Sequence, residues 1–248
     1  MPGIPDKSID LILCDLPYGS TALSWDSIIP LVPLWAQYKR IIKENGAIVL
    51  TATNPFAAKL IMSNLDWFKY EFVWHKNMTS GFALAKKQPL RNHELVLVFY
   101  RHQPTYNPIK EPRDMSPSSA QRMNYDFTST KGVNSHQNGI KKVQYIPEDK
   151  SMSYPKTVKK WNGVNPHNRT HPTEKPVDMF QYLIKTFTNP GDNVLDNCMG
   201  SGTTTVACYK EGRNCIGMEK DKTYFNLTVN RIKGAVSKPY MDFPENIS

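Results

Sequence analysis

The sequence predicts an α/β fold, a mainly parallel sheet with helices on both faces. Three observations carry this. Short, continuously apolar runs alternate with helix-patterned segments, as strands covered on both faces do. Two of those runs end in turns rich in Asp, Pro and Gly, at the strand ends where open α/β sheets hold ligands. The 248 residues suffice for one large domain, or one domain plus a substantial insertion.

The elements follow in order. Ile9–Cys14 (IDLILC) reads as a buried strand, and Leu31–Lys43 as a helix closed by Asn45-Gly46. A second buried strand, Ala47–Thr53 (AIVLTAT), precedes a helix through Ala57–Leu65. Two β-rich runs follow at Phe72–His75 and Leu95–Tyr100. The rhythm then breaks over residues 101–170, where prolines fall at 104, 108, 112, 117, 147, 155 and 166. A span this long without periodicity reads as a functional insertion. It separates a first half, residues 1–100, from a second, residues 171–248. The second half returns to α/β with a helix at Val177–Phe187, a turn at Asn189–Asp192 and a strand at Asn193–Asp196 (NVLD). A helix at Thr203–Lys210, a strand at Asn214–Met218 and a helix at Tyr224–Lys233 complete the chain.

The net charge of +9 is unevenly placed. Residues 101–170 hold 12 Lys/Arg against five Asp/Glu, and the remainder 19 against 17. A nearly neutral body with a basic segment suggests an anionic polymer as partner, because cations on phosphates release counterions. Lys141, Lys142, Lys159 and Lys160 are the candidate phosphate contacts. The four cysteines (Cys14, Cys198, Cys208, Cys215) show no CxxC spacing, so they read as reduced thiols in a cytoplasmic protein. No run approaches 18 apolar residues, which sets a membrane partner aside. His167 and His171 are flanked by prolines and lack a third ligand, so no metal is expected.

Between the NVLD strand and the next helix lies Asp196-Asn197-Cys198-Met199-Gly200-Ser201-Gly202-Thr203. Glycine lets the backbone approach a ligand, and the helix start offers free N–H groups. A phosphate-binding P-loop would require Lys after Gly202, and a dinucleotide fingerprint a third glycine. Both are missing. A tight structural turn remains open, as does a nucleoside cofactor with a short tail free of phosphate. Glu219, one strand later, is placed to accept hydrogen bonds from two ribose hydroxyls.

Asp15-Leu16-Pro17-Tyr18 could be a simple turn. It follows a fully buried strand, however, and sets an aromatic beside an acid. An exocyclic amine such as adenine N6 is a poor nucleophile because its lone pair is delocalised into the ring. Two acceptors, the Asp15 carboxylate and the Leu16 carbonyl, would hold both amino hydrogens and localise that pair. Rate would then come from positioning and oriented dipoles. Tyr18 would supply a stacking face for an extruded base.

Together these segments resemble the β-type DNA amino-methyltransferases, in which the catalytic motif precedes the cofactor motif. Asp15-Leu16-Pro17-Tyr18 matches the catalytic [D/N/S]PP[Y/F/W] motif, with Leu16 replacing the first Pro. Arg91-Asn92-His93-Glu94 before LVLVFY resembles the segment preceding an apolar strand. His171-Pro172-Thr173-Glu174-Lys175-Pro176 is similar to the HPTxKP cofactor motif. Asp196–Thr204 resembles DPFxGSGTT, with Asn197-Cys198-Met199 replacing the commoner Pro-Phe stretch that packs near the cofactor. The family also usually carries a short Gly-Asp strand ahead of the region matching Pro5–Ile9, which this sequence lacks.

The resemblance implies a Rossmann-like methyltransferase fold, circularly permuted, with a mixed seven-stranded sheet. It implies S-adenosylmethionine as cofactor, held by Pro172, Thr173, Lys175, Asp196, Cys198, Gly200, Gly202, Thr203 and Glu219. It makes residues 101–170 a target-recognition region and adenine N6 in DNA the substrate, as in restriction-modification enzymes. DNA is the expected partner, with a homodimer a possible assembly. Cytosine N4, RNA and protein glutamine remain alternative substrates, although Asp at position 15 favours adenine. A non-catalytic nucleic-acid-binding module would have lost Asp15 or the glycines, and both are present.

Overall fold

The computed structural model describes residues 1–20, 26–113, 151–165 and 174–237. It divides into two compact units, residues 1–107 with 156–248, and residues 108–155. The larger unit is built on a seven-stranded sheet, which is the expected Rossmann-like architecture.

Its strands are β1 (Ile9–Asp15), β2 (Ile42–Ala52), β3 (Phe68–Ser80), β4 (Arg91–Phe99), β7 (Val158–Trp161), β8 (Asn193–Asp196) and β9 (Asn214–Gly217). Their spatial order is β7-β3-β4-β2-β1-β8-β9. Only β4 runs against the rest, pairing antiparallel with both β2 and β3. The described part of the second unit holds one short pair, β5 (Glu111–Pro112) with β6 (Met152–Ser153).

Alternation along the central strands explains their continuous hydrophobicity. Ile12 and Cys14 of β1 face one side of the sheet; Leu11 and Leu13 face the other. The first side is covered by α1 (Leu31–Ile41) and α2 (Phe56–Met62), through Leu34, Trp35, Tyr38, Ile41, Phe56 and Leu60. Those four α1 residues recur at helical spacing, which makes one apolar stripe. The second side is covered by α3 (Val177–Phe187) and α4 (Thr203–Lys210), through Met179, Phe180, Leu183, Ile184, Phe187, Ala207 and Cys208. With both faces buried there is no polar face to alternate with.

The first helix ends earlier than expected. It stops at Ile41, and Ile42 is already extended (ψ 139°). Asn45-Gly46 is therefore no helix stop; it lies inside β2, where Ile9 pairs with Ile42 and Leu11 with Ala47. The bulge that absorbs the extra β2 residues requires Gly46, since a Cβ there would lie 2.9 Å from the Asp10 carbonyl oxygen. Strands β3 and β4 are longer than their apolar cores indicated, and α5 (Lys222–Val236) extends both ends of the expected last helix. Part of the aperiodic span is also regular: β7 adds to the sheet edge beside β3.

The chain enters the sheet at its centre. From β1 it moves outward through β2, and later crosses to β8 and β9 on the other side. The switch point thus falls between β1 and β8. Their carboxyl ends carry the Asp15 turn and the glycine turn, side by side, as Leu11 pairs with Val194 and Ile12 with Leu195.

Candidate active site

Asp15 closes β1 beside Thr51 of β2. Its carboxylate is held from three directions. Tyr18 OH donates to Oδ1 at 2.7 Å and lies 3.1 Å from Thr51 Oγ1. The Thr51 hydroxyl donates to the same oxygen. Lys175 Nζ donates to Oδ2 at 2.6 Å. A carboxylate offers about four acceptor sites, so roughly one remains for an incoming amino hydrogen. The Tyr18 ring stacks on Phe56, with centroids 5.4 Å apart and planes at 25°. Leu16 is buried in the core under α1 and α2, which anchors the turn that Pro17 stiffens.

Lys175 extends this arrangement. Its side chain is 7% exposed, and Nζ also lies 3.6 Å from Glu94 Oε2. Glu94 is paired in turn with Lys76. Burial works against the Lys175 ammonium, yet the two carboxylates outweigh it and hold its pKa above the ordinary lysine value. Burial likewise opposes the Glu94 charge, and Lys175 and Lys76 overcome it, keeping that carboxyl below its usual range. A chain of alternating charge therefore runs Lys76–Glu94–Lys175–Asp15 along the sheet's carboxyl edge.

The neighbouring turn is a backbone construction. Gly200 and Gly202 have φ of 50° and 79°. A Cβ on Gly202 would sit 2.5 Å from Thr228 Cγ2 of α5. Asp196 is buried, its Oδ1 accepting the Cys198 N–H at 3.0 Å and its Oδ2 the Thr204 hydroxyl. Burial pushes its carboxyl up to about 6. Glu219 accepts the Gly200 N–H at 2.9 Å and the Asp221 N–H at 2.8 Å, one on each oxygen. The Thr203 hydroxyl donates to the Lys175 carbonyl at 3.3 Å, which ties the two turns together.

The structure thus gathers Asp15, Leu16, Pro17, Tyr18, Lys175, Asp196, Cys198, Gly200, Gly202, Thr203 and Glu219 around the switch point. Pro172, Thr173, Lys141 and Lys142 lie outside the described residues. Lys159 and Lys160 separate. Strand alternation puts Lys159 on the same side as Trp161, buried, with Nζ 4.9 Å over the Tyr182 ring of α3. Burial removes Lys159 from the candidate phosphate contacts; Lys160 is exposed.

Several residues escaped the sequence reading. Thr51 looked like one more strand residue, although a hydroxyl inside AIVLTAT was a signal. Glu94 stood in the sequence only as part of the segment before an apolar strand, and its partners are Lys76 and Lys175. Thr228 and Arg231 of α5 clamp the glycine turn, donating to the Gly200 and Ser201 carbonyls at 2.8 and 3.1 Å. Arg231 also pairs with Glu174 at 2.7 Å.

A DNA methylase family profile matches residues 9–230. The chain belongs to that family. It is 27% identical over 244 residues to the type II methyltransferase M1.MboII of Moraxella bovis, covering 90% of this chain and 88% of that one. It is 26% identical over 252 residues to the DNA adenine methyltransferase YhdJ of Escherichia coli K12, covering 92% and 78%. Among solved structures, the complex of M1.HpyAVI with SAM superposes with a TM-score of 0.61 at 21% identity, over 91% and 89% of the two chains. The cytosine-N4-specific PvuII DNA methyltransferase gives 0.62 at 14% identity, over 100% and 84%. At these identities what the two structures share with this chain is the fold.

Proposed function

We propose that this DNA methylase transfers a methyl group from S-adenosylmethionine to N6 of adenine in DNA. The observation that carries the reading is the Asp15 carboxylate. It is fixed by three donors with about one acceptor site left, beside a glycine turn from the adjacent strand.

The residues present fit the cofactor. Glu219 keeps two of about four acceptor sites for ribose hydroxyls after taking two backbone N–H groups. Positive φ at Gly200 and Gly202 brings backbone, without side chains, to the ligand's side of the turn. Asp196, Cys198, Thr203 and Lys175, with Pro172 and Thr173, would complete the site. When bound, the cofactor supplies an electrophilic methyl on a sulfonium. The protein's part is positional. Asp15 and the Leu16 carbonyl accept the two amino hydrogens, turning the N6 lone pair outward. As N6 gains the methyl it loses one proton, along the hydrogen bond to Asp15. Thr51 and Lys175 hold that carboxylate in place, and the Tyr18–Phe56 pair supplies an aromatic wall for an extruded base. Residues 101–170 would read the DNA sequence, with Lys141, Lys142 and Lys160 on phosphates.

The test is to treat varied DNA with purified protein and labelled cofactor, and to identify the modified base by mass spectrometry. N6-methyladenine is the expected product, and Asp15→Ala should abolish it while binding cofactor nearly as the wild type does. N4-methylcytosine would overturn the substrate, and no labelled base the reaction itself.

A further inference from the structure

Strands β3 and β4 form an arm that outruns the rest of the sheet. Thr51 pairs with Asp15 on one side and with Val96 on the other, so these three residues share a level. Arg91 lies five residues beyond Val96, about 16 Å further at the strand rise. Neither β2 nor β7 follows the arm there, as β2 ends at Ala52 and β7 pairs only as far as Lys76. Between His75 and Ser80 the register slips, a bulge that adds local twist.

The tip is ordered. Gly81, in the left-handed region at φ 90°, starts a 3-10 turn over Phe82–Leu84. Leu84 N donates to the Gly81 carbonyl at 2.9 Å, and Lys87 N to the Leu84 carbonyl at 2.8 Å. That turn holds two apolar side chains out to solvent: Phe82 is 66% exposed and Leu84 43%. The chain has no acid between Glu71 and Glu94, while Lys76, Lys86, Lys87 and Arg91 fall in that interval. Among the described residues Lys86, Lys87 and Arg91 are in no ion pair; Lys76 is engaged by Glu94. A cleft of about 210 Å³ lined by Thr53, Asn54, Arg91, His93, Glu94 and Leu95 opens at the arm's foot, beside the Asp15 charge chain.

We infer that the β3–β4 arm is a DNA wedge: Phe82 and Leu84 enter the base stack next to the target, and Lys86, Lys87 and Arg91 take flanking phosphates. An adenine drawn out to Asp15 leaves a gap in its duplex, and that duplex must lie beyond the sheet's carboxyl edge. The arm projects on that side. Apolar wedges inserted between base steps, flanked by cations on the backbone, are a general way to hold a duplex open. The wedge rests on the proposed reaction, and it is distinct from the recognition region at 101–170.

Three variants of the full chain test it on a duplex that the wild type methylates, with 2-aminopurine at the target position. Phe82→Ala should weaken DNA binding about tenfold and lower the fluorescence rise on binding, with Phe82→Trp restoring both. Lys86→Ala/Lys87→Ala should reduce the slope of log K against log salt by about two. Calorimetric affinity for S-adenosylmethionine should stay at the wild-type value in all three. Wild-type DNA affinity, salt slope and fluorescence in the variants would overturn the wedge while leaving the reaction intact. A changed sedimentation coefficient with unchanged DNA affinity would also overturn it, and would give the tip to a protein interface. Failure of the wild type to methylate any duplex would instead strike the proposed reaction.

Discussion

The two turns at the switch point are neighbours built on opposite principles. The glycine turn is held by shape, largely within residues 196–219: positive φ at two glycines, backbone N–H groups on Asp196 and Glu219, and a clamp from Thr228 and Arg231 of α5 on its carbonyls. The Asp15 turn is held by charge and by distant partners. Thr51 is 36 residues away and Lys175 is 160. A binding surface can be written locally, because a backbone cradle needs only the right conformations in one segment. A poised carboxylate cannot, because one segment does not supply both the acid and the cation that tolerates its burial.

Lys175→Met breaks the distant half of this comparison. Asp15 and Glu94 would keep their burial and lose their shared cation, at a cost of about 3–5 kcal/mol. Urea unfolding reads it directly, and a wild-type midpoint would mean that Asp15 is held from its own turn alone.

Gly202→Ala attacks the local half. The added Cβ meets Thr228 in a conformation that L residues disfavour, for a loss of about 2–4 kcal/mol. Adding Thr228→Ser, which removes Cγ2 but keeps the hydroxyl on the Gly200 carbonyl, should recover much of the packing share and leave the conformational share. Full recovery in the double variant would show that positive φ costs nothing there.

Asp196 sharpens the contrast through pH. Its carboxyl is raised from an ordinary 3.8 to about 6 by burial. Such a group stabilises the fold below its unfolded value, and that stabilisation is lost as pH rises through the folded one. Relative to Asp196→Asn, the wild type should therefore lose about 3 kcal/mol in all as pH rises from well below 4 to well above 6. Parallel stability curves for the two proteins would show that Asp196 does not titrate in this window.

The smallest effect concerns Glu219. Glu219→Ala removes a charged acceptor from two backbone N–H groups and from the proposed ribose contact. Cofactor affinity should fall by about 1.5–3 kcal/mol, measured by calorimetry. Unchanged affinity would reduce Glu219 to a structural brace of the turn.

Much of the fold was legible without coordinates. Strand Asn193–Asp196 and helices Val177–Phe187 and Thr203–Lys210 match the sequence reading residue for residue. Periodicity, capping and glycine placement are local properties, and these elements are bounded by turns that state them openly. The helix stop expected at Asn45-Gly46 went astray for the opposite reason. A glycine needed for φ and one needed for space look alike in sequence, and only the Asp10 carbonyl across the sheet tells them apart.

The same boundary runs through the site. By itself the sequence determined which chemical groups the protein owns: an acid and an aromatic in one turn, glycines in another, Glu219 a strand later. Tertiary structure alone decided their company. It set Lys175 between Asp15 and Glu94, placed Thr51 and Tyr18 on one oxygen, and turned Lys159 inward while leaving Lys160 outside. Those outcomes depend on strand register and on which face a neighbouring helix covers. Both emerge only when segments far apart in the chain are packed, because hydrogen bonds and ion pairs act over a few ångströms of space whatever the separation along the sequence.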